Sequence, residues 1–105
     1  MIVAVDKQGT VVGMVALAVP TVVSAGAAPV AHELRDAVHP AWRGRGLYRA
    51  LCRCRWLAAL RMGVARVEGR TINPVAAAAR LRMGYAALGG ALYGRGLDDV
   101  AGRPG

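Results

Sequence analysis

The stretch Val38-His39-Pro40-Ala41-Trp42-Arg43-Gly44-Arg45-Gly46-Leu47-Tyr48 constrains this chain more than any other. A proline stops a preceding strand because it cannot donate to a ladder. A glycine-rich turn follows, and then a run of helical periodicity. The first N–H groups of a helix have no internal partner and sit at the positive end of its dipole. Glycines 44 and 46 let the backbone come close to a bulky anion, and Arg43, Arg45 and Arg49 bring full charges to the same place. The stretch therefore predicts a pyrophosphate cradle. It is not a Walker loop, because G-x-x-x-x-G-K-[ST] is absent. It is not a dinucleotide fingerprint either, since the glycine spacing differs and the preceding elements form no βαβ unit.

The remaining elements arrange themselves around this turn. Residues 2–6 and 11–19 are β-branched apolar runs joined by Asp6-Lys7-Gln8-Gly9-Thr10, which predicts an antiparallel hairpin. Residues 20–31 form an uncharged loop, and 32–38 a more polar third strand. In 47–62 the residues Leu47, Ala50, Leu51, Cys54, Leu57, Ala58 and Met62 mark one helix face, with Arg45, Arg49 and Arg53 as a basic stripe on another. Gly63 ends the helix, and a fourth strand runs from Val64 to Ile72. Asn73 caps a second helix with Pro74 at its first position, continuing to Gly84. A last strand spans Tyr85 to Tyr93. The expected fold is a mixed α/β sheet of order β-β-β-α-β-α-β with a mostly antiparallel start. Residues 1–93 make the domain and 94–105 a flexible tail.

Size and composition bound the alternatives. A chain of 105 residues allows one domain, large enough to need no metal or disulfide framework. With 55% hydrophobic and 19% charged residues it is not disordered by default. Cys52 and Cys54 would point about 200° apart on a helix, which suits two small apolar side chains in a reducing cytoplasm. The uncharged segment 11–31 is long enough for a bilayer, but Pro20, Pro29, Gly13 and Gly26 make it a strand plus a loop, so no membrane partner is expected. The net charge of +8 favours a phosphate-bearing ligand. A basic module for nucleic acid or an acidic partner is the alternative. It fits less well, because three Tyr and two Trp are scattered and the arginines gather at one turn and one helix.

These motifs together resemble the GNAT superfamily of acyl-CoA-dependent N-acetyltransferases. Its acetyl-CoA motif, a strand ending V-x-P before [QR]-x-x-G-x-[GA], is matched by Val38-His39-Pro40 and by Arg43-Gly44-Arg45-Gly46-Leu47-Tyr48. Asn73-Pro74-Val75-Ala76 matches N-x-x-A, and Met83-Gly84-Tyr85 matches L-G-[FY]. The resemblance implies transfer of an acetyl group from acetyl-CoA to an amine acceptor. Backbone groups at Ala37 and Val38 would hold the pantetheine arm and the thioester carbonyl. Residues 43–48 would hold the pyrophosphate, and Asn73 would sit on the sulfur side. Glu33 is the leading candidate base. His32 and Asp36 are its rivals, which strand alternation places on the opposite face unless a bulge intervenes.

Tyr48 stands where the motif usually has Gly or Ala, and Arg80 where the family often has a tyrosine acid, leaving Tyr85 or Tyr93 as substitutes. The chain also begins at the hairpin, without the family's first strand and following helices. A minimal enzyme, a partner-completed protein and a truncated or non-catalytic CoA-binding fragment all fit that feature. An exposed sheet edge there would invite self-association or a partner strand.

Overall fold

A computed structural model describes residues 1–20 and 29–101. Strands β1 (Ile2–Val5) and β2 (Val11–Ala18) form the expected hairpin. Asp6 closes it, its Oδ1 accepting from the amides of Gln8 and Thr10 at 2.9 and 3.0 Å. The loop expected at 20–31 falls largely on residues 21–28, outside the described residues. Strand β3 (Val30–Val38) starts two residues earlier than expected and pairs antiparallel with β2. A single 3₁₀ turn (Pro40–Trp42) leads to helix α1 (Leu47–Arg61) and strand β4 (Arg66–Arg70). Asn73 then caps helix α2 (Pro74–Arg82), its Oδ1 accepting from Val75 and Ala76 at 2.9 and 3.3 Å, with Pro74 in the first position.

The last part of the chain departs from expectation. Instead of one strand there is a hairpin, β5 (Ala86–Gly89) and β6 (Leu92–Gly96), followed by a short helix α3 (Asp98–Ala101). Gly89 ends β5 and Gly90-Ala91 form the turn, so the two glycines are not a weak point within one strand. Residues 94–101 are therefore part of the fold and not a flexible tail. Leu97 and Val100 are buried in the core, and Gly94 is closely surrounded, since a Cβ there would lie 2.7 Å from Leu88 Cδ1, 3.1 Å from Arg66 Nη2 and 3.2 Å from Glu68 Cγ. That glycine serves close packing, which sequence composition alone cannot distinguish from flexibility.

The six strands lie in the order β1-β2-β3-β4-β6-β5, antiparallel except for β3 beside β4. Ala31, Val67, Cys52, Trp56, Ala59 and Leu97 lie at the centre of the core. The buried face of α1 is not the expected one. Leu51, Cys52, Arg55, Trp56 and Ala59 face inward, while Cys54 is exposed and Met62 is 64% exposed. An arginine on the inner face broke the apolar periodicity. Among the described residues, no helix is long and apolar enough to cross a membrane.

Candidate functional site: a groove at the β3–β4 divergence

The parallel pairing of β3 with β4 is short. It joins Val30, Ala31 and His32 to Arg66, Val67 and Glu68 and then stops, while β3 runs on to Val38. Beyond that point the two strands have no shared ladder, and a groove of about 650 Å³ opens between β3, the turn before α1, and α2. Its walls carry Ala37, Val38, Arg43, Gly44, Gly46, Leu47, Tyr48 and Asn73, so eight of the nine residues expected around a cofactor converge on one cavity. Arg45, the ninth, does not line it; its guanidinium lies over the Trp42 ring at 5.1 Å.

Backbone groups are available along this groove. The His39 amide donates to Val12 O on β2 at 2.8 Å. Backbone direction alternates along a strand, so Val38 turns its own N–H and C=O to the open side. Its carbonyl accepts from Arg43 Nε at 3.2 Å, which fits that direction. At the head of α1, Gly46 is the N-cap with φ 81° and supplies no capping side chain. Gly44 has φ 73°, and a Cβ at either glycine would meet nothing within 4 Å. The first amides of α1 thus remain open to an anion, and the chain above them is bare enough for close approach. A pyrophosphate fits this cradle on those grounds.

Beside the groove lies a closed ionic cluster. Between the pairs Met14–Ala37 and Ala16–Leu34, strand β3 has two residues, Arg35 and Asp36, where β2 has one, Val15. Arg35 takes φ 47° at this bulge. The extra residue returns Asp36 to the same face as Glu33, correcting the alternation expected from the sequence. Glu33 receives Arg55 Nη2 at 2.8 Å, Arg80 Nη1 at 2.6 Å and the Tyr85 hydroxyl at 2.6 Å. Asp36 is paired with both Nη atoms of Arg55, with Arg80 Nη2 at 3.2 Å and with the Tyr48 hydroxyl at 2.6 Å. Gly69 on β4 makes room, since a Cβ there would lie 3.0 Å from both Glu33 and Arg80. Burial opposes charge on Arg55 and Arg80, yet Asp36 and Glu33 outweigh it on Arg55, and Glu33 with Tyr48 and Tyr85 outweighs it on Arg80, so both guanidiniums are raised above their ordinary value.

The location of Glu33 bears on its expected role. It is 7% exposed, both its oxygens are taken by donors, and it does not reach the groove wall. Asp36 is the carboxylate that does line the groove, and Tyr48 is the phenol beside it. Burial, with help from Asp36, raises the Tyr48 hydroxyl above the ordinary phenol range, so it stays protonated at neutral pH. Tyr85 is locked between Glu33 and the Trp56 indole N–H, 3.0 Å away, and neither it nor Tyr93 lines the groove. His32 is exposed on the other face, and His39 accepts from the Ala41 amide at 3.1 Å as a turn cap. Position 48 departs from the small residue of the motif. That departure was the sequence signal for its role; nothing in the sequence marked the partnership with Asp36.

Known proteins share this fold. A GCN5-related N-acetyltransferase from Kribbella flavida superposes with a TM-score of 0.72 at 30% identity, covering 90% of this chain and 66% of that one. A GNAT family N-acetyltransferase (YhbS) from Escherichia coli, solved in complex with CoA, gives 0.70 at 26% identity, covering 94% and 59%. An acetyltransferase of the GNAT family from Staphylococcus aureus Mu50 shares the fold at 0.74 and 14% identity, covering 91% and 66%. The chain thus spans about three-fifths to two-thirds of the length of these structures. None of the curated proteins matches it. The donor that goes with such folds is acetyl-CoA, and the YhbS structure holds CoA itself. The model of the acetyltransferase (GNAT) family matches residues 1–85, four-fifths of the sequence, and the chain belongs to that family.

Proposed function

We propose that the chain binds acetyl-CoA in the groove and passes its acetyl group to an amine. The observation that carries this reading is the divergence of β3 from β4, which leaves Val38 without a β4 ladder partner opposite an uncapped, glycine-lined helix start. Acetyl-CoA would bring an activated acyl group as a thioester. The amides at Gly44–Tyr48 and the Arg43 guanidinium would hold its pyrophosphate. The Val38 N–H would orient the pantetheine arm and the thioester carbonyl, and Asn73, whose Oδ1 caps α2, lines the same groove. Asp36 and Tyr48 are the groove's pair for holding and moving a proton, a role for which Glu33, which does not line the groove, is out of reach. Strand β1 also leaves Val3 and Val5 exposed at the sheet edge, which favours pairing with a second chain. Sedimentation at micromolar concentration tests that point, and a strictly monomeric species contradicts it.

Thermal unfolding with acetyl-CoA tests the principal reading. A ligand at 100 times its Kd stabilises a fold by about 2.7 kcal/mol, a midpoint rise on the order of 10 °C for a domain this size. Wild type should show that rise, and Gly46→Asp, which sets a carboxylate in the cradle, should melt cooperatively without it. A wild-type midpoint indifferent to acetyl-CoA would sink the proposal.

A further inference from the structure

A second cavity, of about 300 Å³, adjoins the groove behind α2. Arg49, Arg82 and Met83 belong to the walls of both. The charged residues of this second cavity fall into two groups. Arg95 is fully engaged: it donates to Met83 O at 2.7 Å and Gly96 O at 2.8 Å, holds both Asp99 oxygens at 2.8 and 2.9 Å, and lies 4.2 Å from the Trp56 ring centroid. Asp99 is thereby neutralised, and Arg53 also has a partner. Arg49 and Arg82 differ. Both are exposed, and neither makes a hydrogen bond or ion pair with any described residue. Arg49 comes from the first turn of α1 and Arg82 from the last of α2, so the fold, not one helix surface, brings them to a common wall. The carboxylates lining the two cavities, Asp36 and Asp99, are already paired with other arginines. The shared wall therefore carries two cations without compensating charge.

Resting on the acetyl-CoA reading, we infer that Arg49 and Arg82 form a second phosphate subsite, which recognises the 3′-phosphate of CoA. Acetyl-CoA carries phosphate in two places, a pyrophosphate and a monoester on the ribose of the nucleoside end. The glycine turn suits the first, through backbone amides. A monoester carries nearly two charges and three acceptor oxygens, which two guanidinium forks match better than amides do. The subsite makes the groove selective for phosphorylated CoA over its 3′-dephospho form, and it explains why these two arginines have no partner among the described residues.

Calorimetric titration of the full chain with CoA and with 3′-dephospho-CoA tests the assignment by binding alone. Wild type should bind CoA about tenfold or more tightly than 3′-dephospho-CoA, a preference that shrinks as salt is raised. The Arg49→Gln/Arg82→Gln double variant should bind both ligands alike, at the affinity wild type has for 3′-dephospho-CoA. Both positions are exposed, and an unchanged melting midpoint without ligand confirms an intact fold. Equal affinity of wild type for both ligands, or a preference that survives in the double variant, overturns the subsite and leaves the groove standing. If wild type binds neither ligand, the acetyl-CoA reading itself fails, and the subsite with it.

Discussion

Arg55 and Arg80 differ from Arg49 and Arg82 in everything except residue type. The first two are buried between β3, α1 and α2, each paired with both Glu33 and Asp36. The second two stand at the groove rim and make no hydrogen bond or ion pair with any described residue. Burial and pairing, not charge, separate an arginine that holds the fold from one that awaits a ligand. The closed cluster fills the space just inside the point where β3 and β4 part, and the open arginines flank the cavity beyond it. Because Glu33 and Asp36 cancel Arg55 and Arg80 inside the cluster, the net charge of +8 rests entirely on the rest of the chain.

The largest effect should come from breaking the closed cluster. Arg55→Met keeps side-chain length but leaves Glu33 and Asp36 short of a cation, and should cost about 3–5 kcal/mol in urea unfolding. A loss below about 1 kcal/mol would erase the contrast between the two pairs of arginines.

Alkaline pH should weaken the same region. Burial pushes the Cys52 thiol up to about 11 and raises the Tyr48 and Tyr85 hydroxyls as well. Unfolded thiols and phenols ionise near pH 8.5 and 10, so above those values the folded chain binds protons that the unfolded chain has released. The sign follows: stability from these groups is complete below about pH 8.5 and falls as pH rises, by roughly 1.4 kcal/mol per pH unit for each group engaged. Cys52→Ala should flatten the first part of that decline. A wild-type profile level to pH 11 would contradict it.

Tyr48→Phe removes a hydrogen bond to a carboxylate and should cost about 1.5 kcal/mol or somewhat more. With an amine acceptor it should lower kcat while leaving acetyl-CoA affinity within about twofold, whereas an unchanged kcat would remove Tyr48 from proton transfer. The smallest effect belongs to the rim. Arg49→Gln and Arg82→Gln should each change stability by less than about 0.5 kcal/mol, and a larger loss would place them among the structural arginines.

The sequence made the parts with local chemistry legible. The Asp6–Thr10 hairpin, the turn at 43–46 and the Asn73-Pro74 cap each have a short-range cause, and each lies where expected. What stayed hidden depends on tertiary contacts. Nothing in the sequence marked Arg55 for the interior; two carboxylates of β3 enclose it, and this shifts the buried face of α1 toward Cys52, Trp56 and Ala59. The bulge at Arg35 has no glycine to announce it, so Asp36 was assigned to the face away from Glu33. Gly94 and Gly96 suggested a loose end, although both lie in β6, ahead of the buried Leu97. In the site, the turn and Asn73 were readable; the carboxylate that reaches the groove was not, because a backbone irregularity chose it.

The most direct test of the groove is a titration of isotope-labelled protein with acetyl-CoA, followed amide by amide in NMR spectra. The account predicts the largest shifts at Val38, at Gly44, Gly46 and Leu47, and at Asn73, with the β5–β6 hairpin little changed. Shifts confined to that hairpin or to the exposed β1 edge, or none at saturating ligand, would contradict it.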